Sequence, residues 1–282
     1  MKRFVLPLLF IVAAGVSVFA LPIYQDPNVA WIVSPAGSPG WLTVMNAGDA
    51  SASFLRIGAA SKISVEGEGY LSSWDGSSLT VVLPAAVEPD GHVVTLKLVA
   101  ADGAIGLVDA AFGDFGLLQV IDGSTLNFLN AGYTPGQGGL LRVEAAAEIG
   151  VEGYTSFWAS PFLYVVGVPE IASGTALQLL FTGAITQAQF GYFGAAWSAV
   201  ADGTSAVVTV FNAGAKDATK IVVNSYTYMA EAVEGFDTVL VQAGGAQMVI
   251  TLVTPLAPGA TLTFKLDAAG DQAVHVQSVA LY

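Results

Sequence analysis

Apolar and polar positions alternate along much of the chain. Leu42 and Val44 flank Thr43, Leu126 and Phe128 flank Asn127, and Val208 and Val210 flank Thr209. A second alternating set places Thr95 among Val94, Leu96 and Leu98, Gln178 between Leu177 and Leu179 with Phe181 beyond, and Thr263 among Leu262, Phe264 and Leu266. A period of two puts one face of a strand in a core and the other toward water. Runs of Val, Leu, Ile, Thr and aromatic residues are broken about every 8 to 12 residues by Gly, Pro, Asp and Asn, and helical periodicity is hard to find. The pattern predicts an all-β protein of antiparallel sheets packed face to face.

The pattern occurs three times. Asn-Ala-Gly begins at Asn46, Asn130 and Asn212, and Val-Glu-Gly follows at Val65, Val151 and Val233. A Pro and then a turn Gly come next: Pro84 with Gly91, Pro169 with Gly174, Pro255 with Gly259. The spacing falls just below the roughly 100 residues of an immunoglobulin-like domain. The predicted organisation is a signal peptide over 1–20 and three tandem immunoglobulin-like β-sandwich domains over 21–113, 114–193 and 194–282, each with about six or seven strands. Residues 104–112 align with 273–281, and 115–121 open the next copy almost at once. With no Gly/Ser-rich spacer between copies, a fairly stiff rod is expected. Asn46, Asn130 and Asn212 are read as structural turns together with Gly48, Gly132 and Gly214, which are expected at a positive φ that only glycine adopts without strain.

The third copy carries Val210-Phe211-Asn212-Ala213-Gly214 and Leu256-Ala257-Pro258-Gly259-Ala260-Thr261-Leu262. This pair resembles the V-x-N-x-G and L-x-P-G-x-S/T motifs of CARDB-like immunoglobulin modules of bacterial and archaeal surface proteins. In the other copies the Pro-Gly turn becomes Pro89-Asp90-Gly91 and Ala172-Ser173-Gly174. The resemblance implies an immunoglobulin-like fold with surface display, adhesion or assembly, and it brings no catalytic residue.

Lys2-Arg3, an apolar run over 4–19 and Ala20 match a secretory signal cleaved after Ala20, with a retained N-terminal anchor as the alternative. The net charge is −13, and losing the signal's two basic residues makes it 7 − 22 = −15. Nucleic acid is therefore excluded as an expected partner, since phosphate binding needs clustered Lys and Arg. The chain contains no cysteine, so packing and hydrogen bonds must hold the fold. None of its Asn residues lies in a glycosylation sequon.

Features present in every copy are expected to serve the shared fold. Glu66, Glu152 and Glu234 are thus read as turn carboxylates accepting backbone hydrogen bonds. His92 and His275 lie in different copies, giving neither a catalytic triad nor a zinc set. No Gly-rich phosphate loop is present. The chain reads as a non-enzyme without a cofactor. Calcium is the one ion for which oxygens are available, from Glu66, Glu68 and Asp75 in one stretch and Asp267 and Asp271 in another. Neither set follows EF-hand spacing, and solvated turn carboxylates are the preferred reading.

Tyr154, Phe157, Trp158, Phe162 and Tyr164 form an aromatic cluster, followed by Phe190, Tyr192, Phe193 and Trp197. Such rings stack on sugars or fill cores and domain junctions, and a matching Trp74 after Val65 favours packing. Met45, Leu129 and Phe211, each just before the repeated Asn, fall on the outward face although apolar. That placement suggests a face that something covers.

These features predict a secreted, non-enzymatic structural protein of the cell surface, a subunit of an extracellular filament, surface layer or envelope assembly. Self-association is expected head to tail, with Leu21, Ile23 and Tyr24 adding to the region of Val276, Leu281 and Tyr282. The alternative is a polysaccharide-binding or adhesion module that contacts glycans or other surface proteins. An outer-membrane β-barrel is a third reading, disfavoured by repeats of sandwich length.

Overall fold

The structure is a computed structural model that describes residues 28–34, 37–132, 138–233 and 236–282. The first repeat contributes β1 (Val29–Ser34), β2 (Gly40–Asn46), β3 (Ala52–Ala59), β4 (Ile63–Glu66), β5 (Leu71–Trp74), β6 (Ser78–Val87), β7 (Val93–Ala100) and β8 (Leu107–Phe112). The second contributes β9 (Gly116–Asp122), β10 (Thr125–Ala131), β11 (Gly139–Glu144), β12 (Thr155–Ala159), β13 (Phe162–Val168), β14 (Ala176–Leu180) and β15 (Gln187–Phe190). The third contributes β16 (Gly194–Asp202), β17 (Ser205–Ala213), β18 (Ala218–Ser225), β19 (Met229–Val233), β20 (Phe236–Gln242), β21 (Gln247–Leu256), β22 (Thr261–Ala268) and β23 (Val276–Leu281).

The protein is an all-β sandwich, and all the sheet pairings described are antiparallel. The first repeat forms the sheets β1-β2-β7-β4 and β5-β6-β3-β8, and the third repeats that order as β16-β17-β22-β19 and β20-β21-β18-β23. In the second, β9-β10-β14 faces β12-β13-β11-β15, and the fourth strand shrinks to a single bridge between Val151 and Phe181. Among the described residues, eight, seven and eight strands thus stand where six or seven were expected per repeat. In the first repeat, hairpins join only β1 to β2 and β5 to β6, and every other connection crosses between sheets. The pairs β2–β7 and β3–β6 nest in the manner of two Greek keys, an order distinct from the A-B-E-D and C-F-G sheets of a constant-type immunoglobulin domain.

The chain divides after Gly116 into two compact units; among the described residues the first has one core, and the second has two sandwich cores with a smaller buried cluster between them. The alternating residues build these cores. Leu42, Val44, Leu126, Val208 and Val210 are fully buried, with Phe128 almost so. The polar residues between them meet across the sheet on the outer face. Thr43 and Thr95 hydroxyls lie 3.1 Å apart, Gln178 donates to Asn127 at 2.8 Å, and Thr209 and Thr263 lie 3.0 Å apart. Two separate alternations in the sequence are therefore the two sides of one strand pair, repeated three times.

The repeated Asn ties the two sheets of each sandwich together. Asn46 Nδ2 donates to the carbonyls of Ala50 (2.8 Å) and Val87 (2.9 Å), and its Oδ1 accepts from the Gly48 N–H at 3.0 Å. Asn212 does the same with Lys216 (2.9 Å), Leu256 (2.7 Å) and Gly214 (2.9 Å). Asn130 donates to Ile171 at 2.6 Å. Val87 and Leu256 end the sixth strand of their repeats, β6 and β21, which lie in the opposite sheet, so the Asn46 and Asn212 amides span the sandwich. The Asn backbone also closes on the turn glycine, whose N–H donates to the Asn carbonyl at 2.8 Å in all three copies (Gly91, Gly174, Gly259).

One expectation about glycine is corrected here. Gly48 and Gly214 do not lie at positive φ, although Gly132 does (147°). The left-handed positions recurring in all three copies are the turn glycines Gly91, Gly174 and Gly259, at 91°, 78° and 78°. What disfavours a side chain at Gly48 and Gly214 is proximity. A Cβ there would lie 3.2 Å from Asn46 Oδ1 and 3.0 Å from Asn212 Oδ1, the oxygens that their own N–H groups must reach.

Asn212→Ala should destabilise the third repeat by about 2 kcal/mol, because the buried Leu256 carbonyl is left without that donor. Equilibrium denaturant unfolding reads the change, and an unaltered midpoint would show the clasp to be dispensable.

Candidate functional site

The aromatic cluster divides between a core and a junction. Tyr154 and Trp158 pack against the core of the second repeat, and Trp74 packs likewise in the first. Trp158 pairs with Leu163 as Trp74 pairs with Leu79, so the two Trp residues hold one structural position. Phe157 and Tyr164 turn to the outer face of their sheet instead. There they meet Phe211, one of the three outward apolar residues, with ring centroids 5.3 Å and 5.6 Å away. Leu140, Ala196 and Ala213 complete the buried group, flanked by Phe162, Val166 and Phe193. The outer face of β12-β13-β11 in the second repeat is thereby covered by β16 and β17 of the third.

A cation sits inside this junction. The Arg142 guanidinium lies 4.6 Å from the centroid of Phe162 and 4.2 Å from that of Phe193, and Nη2 donates to Gln189 Oε1 at 3.1 Å. Guanidinium is planar and weakly hydrated, so it can lie against ring faces at low desolvation cost. Burial pushes the Tyr164 hydroxyl above its ordinary pKa, and the Arg142 charge and hydrogen bond partly offset that shift. The backbone is fastened at both ends of the connection: Gly191 N–H donates to Leu140 and Phe193 N–H to Ala213, at 3.1 Å and 2.7 Å.

The segment that supplies Phe193 has a counterpart. Phe112-Gly113-Asp114-Phe115-Gly116 and Phe190-Gly191-Tyr192-Phe193-Gly194 share the form Phe-Gly-x-Phe-Gly, and Arg56 lies 5.9 Å from the Phe115 ring. Arg56 pairs with Thr80 and Ala111 as Arg142 pairs with Tyr164 and Gln189, which fixes the equivalence. Sequence reasoning noted the aromatic residues of the second segment but missed this motif. The signal was there in the two Phe-Gly pairs at each repeat boundary.

Of the other outward residues, Leu129 is buried and Met45 half-buried. Among the proposed assembly residues, Val276 and Leu281 pack partly against the third core, and Tyr282 is exposed. Tyr282 is held by its backbone, whose carbonyl accepts from Thr219 N–H (2.7 Å) and Lys220 N–H (2.9 Å). Leu21, Ile23 and Tyr24 lie outside the described residues.

The acidic candidates have local partners. Asp75 accepts from Ser77 N–H, Ser78 N–H and the Ser77 hydroxyl, and it pairs with Arg56 at 2.9 Å. Partial burial alone would raise its pKa, but those hydrogen bonds and the Arg56 charge outweigh it and hold the carboxyl below its ordinary value. Glu66 takes Lys97 at 2.9 Å, a side-chain partner where a backbone donor was expected, and Asp267 accepts from the Ser205 hydroxyl at 2.6 Å. Glu68 and Asp271 are exposed. Glu152 offers its own N–H to the Leu180 carbonyl, while the side chain of Glu234 falls outside the described residues. Among the described residues no three acidic or His side chains gather as a metal site would require. His92 and His275 are both exposed, in different units. Among the described residues, the candidate site is therefore the apolar and cationic surface between the second and third repeats.

Neither a protein-family model nor a curated protein matches the chain.

Phe211→Ala should cost about 3 to 5 kcal/mol, since it removes a buried ring that packs against the rings of Phe157 and Tyr164. Denaturant unfolding of the full chain measures that loss, and retained stability would mean that the junction is not cohesive. Asp75→Asn should lower the melting temperature at neutral pH. Because the native carboxyl has the depressed pKa, its contribution exists above the unfolded pKa and disappears as pH falls through the folded one. The two melting curves should then converge in acid. A gap that persists there would mean that the Asp75 charge does not stabilise the fold.

Proposed function

We propose that this chain is a secreted, non-enzymatic structural protein of the cell surface whose working surface is the outer face of its sheets. It serves as a subunit of a filament, surface layer or envelope assembly and associates with its own kind head to tail. The observation that carries this reading is Phe211 on Phe157 and Tyr164. An apolar residue on the outward side of a strand is there because another sheet covers it. The repeated architecture supports a building role in a second way. Each buried Asn, each turn glycine and each cross-strand polar pair serves the shared fold, so few distinctive side chains remain for catalysis.

The polysaccharide-binding alternative relied on Tyr154, Phe157, Trp158 and Tyr164. Their packing within one repeat and against the next favours the structural reading, because a sugar needs ring faces open to water.

Size-exclusion chromatography with light scattering, over a concentration series of the mature protein, tests the proposal. Mass should rise with concentration beyond that of one chain. A monomer at every concentration would sink it.

A further inference from the structure

The junction inside the second unit supplies a template that the third repeat leaves unused. Pairing in register defines one row of residues across each outer sheet face. In the second repeat the row runs Phe157, Tyr164, Arg142, Gln189, and it carries the rings that cover Phe211. In the third repeat the same register gives Leu240, Val249, Val222, Ala280. The Arg has become Val, and the whole row is aliphatic. Leu240 is 54% exposed, while Val222, Val249 and Ala280 are half-buried. Charged and amide residues on either side of the row, such as Lys220 and Asn224, frame it with polar groups.

The residue that lands on the covered row is equally well defined. Phe211 precedes the clasp Asn and pairs with Ala196, and Met45 precedes the clasp Asn of the first repeat and pairs with Ala30. The face around Met45 carries Ile32, Trp41 and Val93 at 40%, 51% and 56% exposure. Exposed apolar side chains grouped on one sheet face, with the Thr43–Thr95 pair set between them, have the character of a contact surface.

We propose that the Leu240–Val249–Val222–Ala280 row of one copy is covered by the Met45 face of a second copy, in the arrangement by which Phe211 covers Phe157 and Tyr164. The inference rests on the self-association proposed above and names its contact. Two different faces meet, so the contact is heterologous, and its repetition builds an open filament or a closed ring according to the rotation between successive copies. It places the joint on the sheet face and not on the edge of β23, where strand addition would compete with the neighbouring β16 of the same repeat.

The absence of cysteine makes the test direct. Full-length Met45→Cys and Leu240→Cys proteins are mixed and treated with a short bismaleimide, with Asp271→Cys replacing Leu240→Cys as the control. Cross-linked heterodimer should form in the first mixture and not in the second. In sedimentation velocity, Leu240→Lys should weaken association at least tenfold while its melting temperature stays that of the wild type, since the side chain is largely exposed. Unchanged self-association in Leu240→Lys, with no Met45–Leu240 cross-link, would overturn this contact and leave self-association standing. A wild-type chain that stays monomeric throughout would overturn both.

Discussion

Each sandwich depends on one buried amide. Two β-sheets without a disulfide must be held in register by packing and by whatever polar bonds cross between them. The carbonyls of Val87, Ile171 and Leu256 belong to residues that are themselves buried, and an unmet carbonyl there would cost about 1 to 3 kcal/mol. In the first and third repeats, Asn46 and Asn212 supply two donors for two carbonyls and one acceptor for the N–H two residues on. Aspartate has no donor to give and serine only one. The neighbouring glycine follows from the same geometry, because a Cβ would crowd the amide oxygen. The turn glycine follows too, since its N–H reaches back to the Asn carbonyl.

Between the second and third repeats the protein uses a different cement. Phe157 stacks on Phe211, Tyr164 packs at an angle against Phe211 and Phe193, Arg142 lies over Phe162 and Phe193, and the chain crosses the junction without a spacer. The position of this Arg distinguishes the repeats more sharply than any part of their cores. Arg56 and Arg142 occupy it in the first two, and Val222 in the third. Core positions conform to the common pattern in all three copies, whereas the outer row varies from copy to copy. Variation on one face of an otherwise repeated unit is where individual contacts are encoded.

Much of this was legible in the chain. Alternation around Thr43, Asn127 and Thr209 announced the strands and their buried faces, and the three Asn-Ala-Gly segments announced the repeat. Outward Phe211 was recognisable as a covered residue before its cover was known. What the sequence withheld was mostly non-local. Nothing near Asn46 indicates that its amide reaches Val87, 41 residues away. The nested strand order is likewise set by which distant segments pair, and turn motifs are silent about that. The φ values were misread for a related reason. A repeated spacing of Asn and Gly signals close approach as readily as left-handed backbone, and only the folded backbone separates Gly214 from Gly259.

The nesting of strands bears on when a repeat can form. β2 finds its partner in β7 and β3 pairs with β8, so the middle strand of each sheet waits for segments near the end of the repeat. Loop closure must be complete before those contacts reward it, which makes such topologies slow to fold. A chain emerging from its N-terminus can assemble the β5–β6 hairpin early, but the first sandwich lacks its last strand until Phe112 has appeared. The residues right behind it, Gly113 to Phe115, bring the ring that lies against Arg56. Completion of one repeat and capture of the segment leading to the next thus fall within a few residues of synthesis, an ordering that commits each sandwich before its successor begins to compete for the same strands.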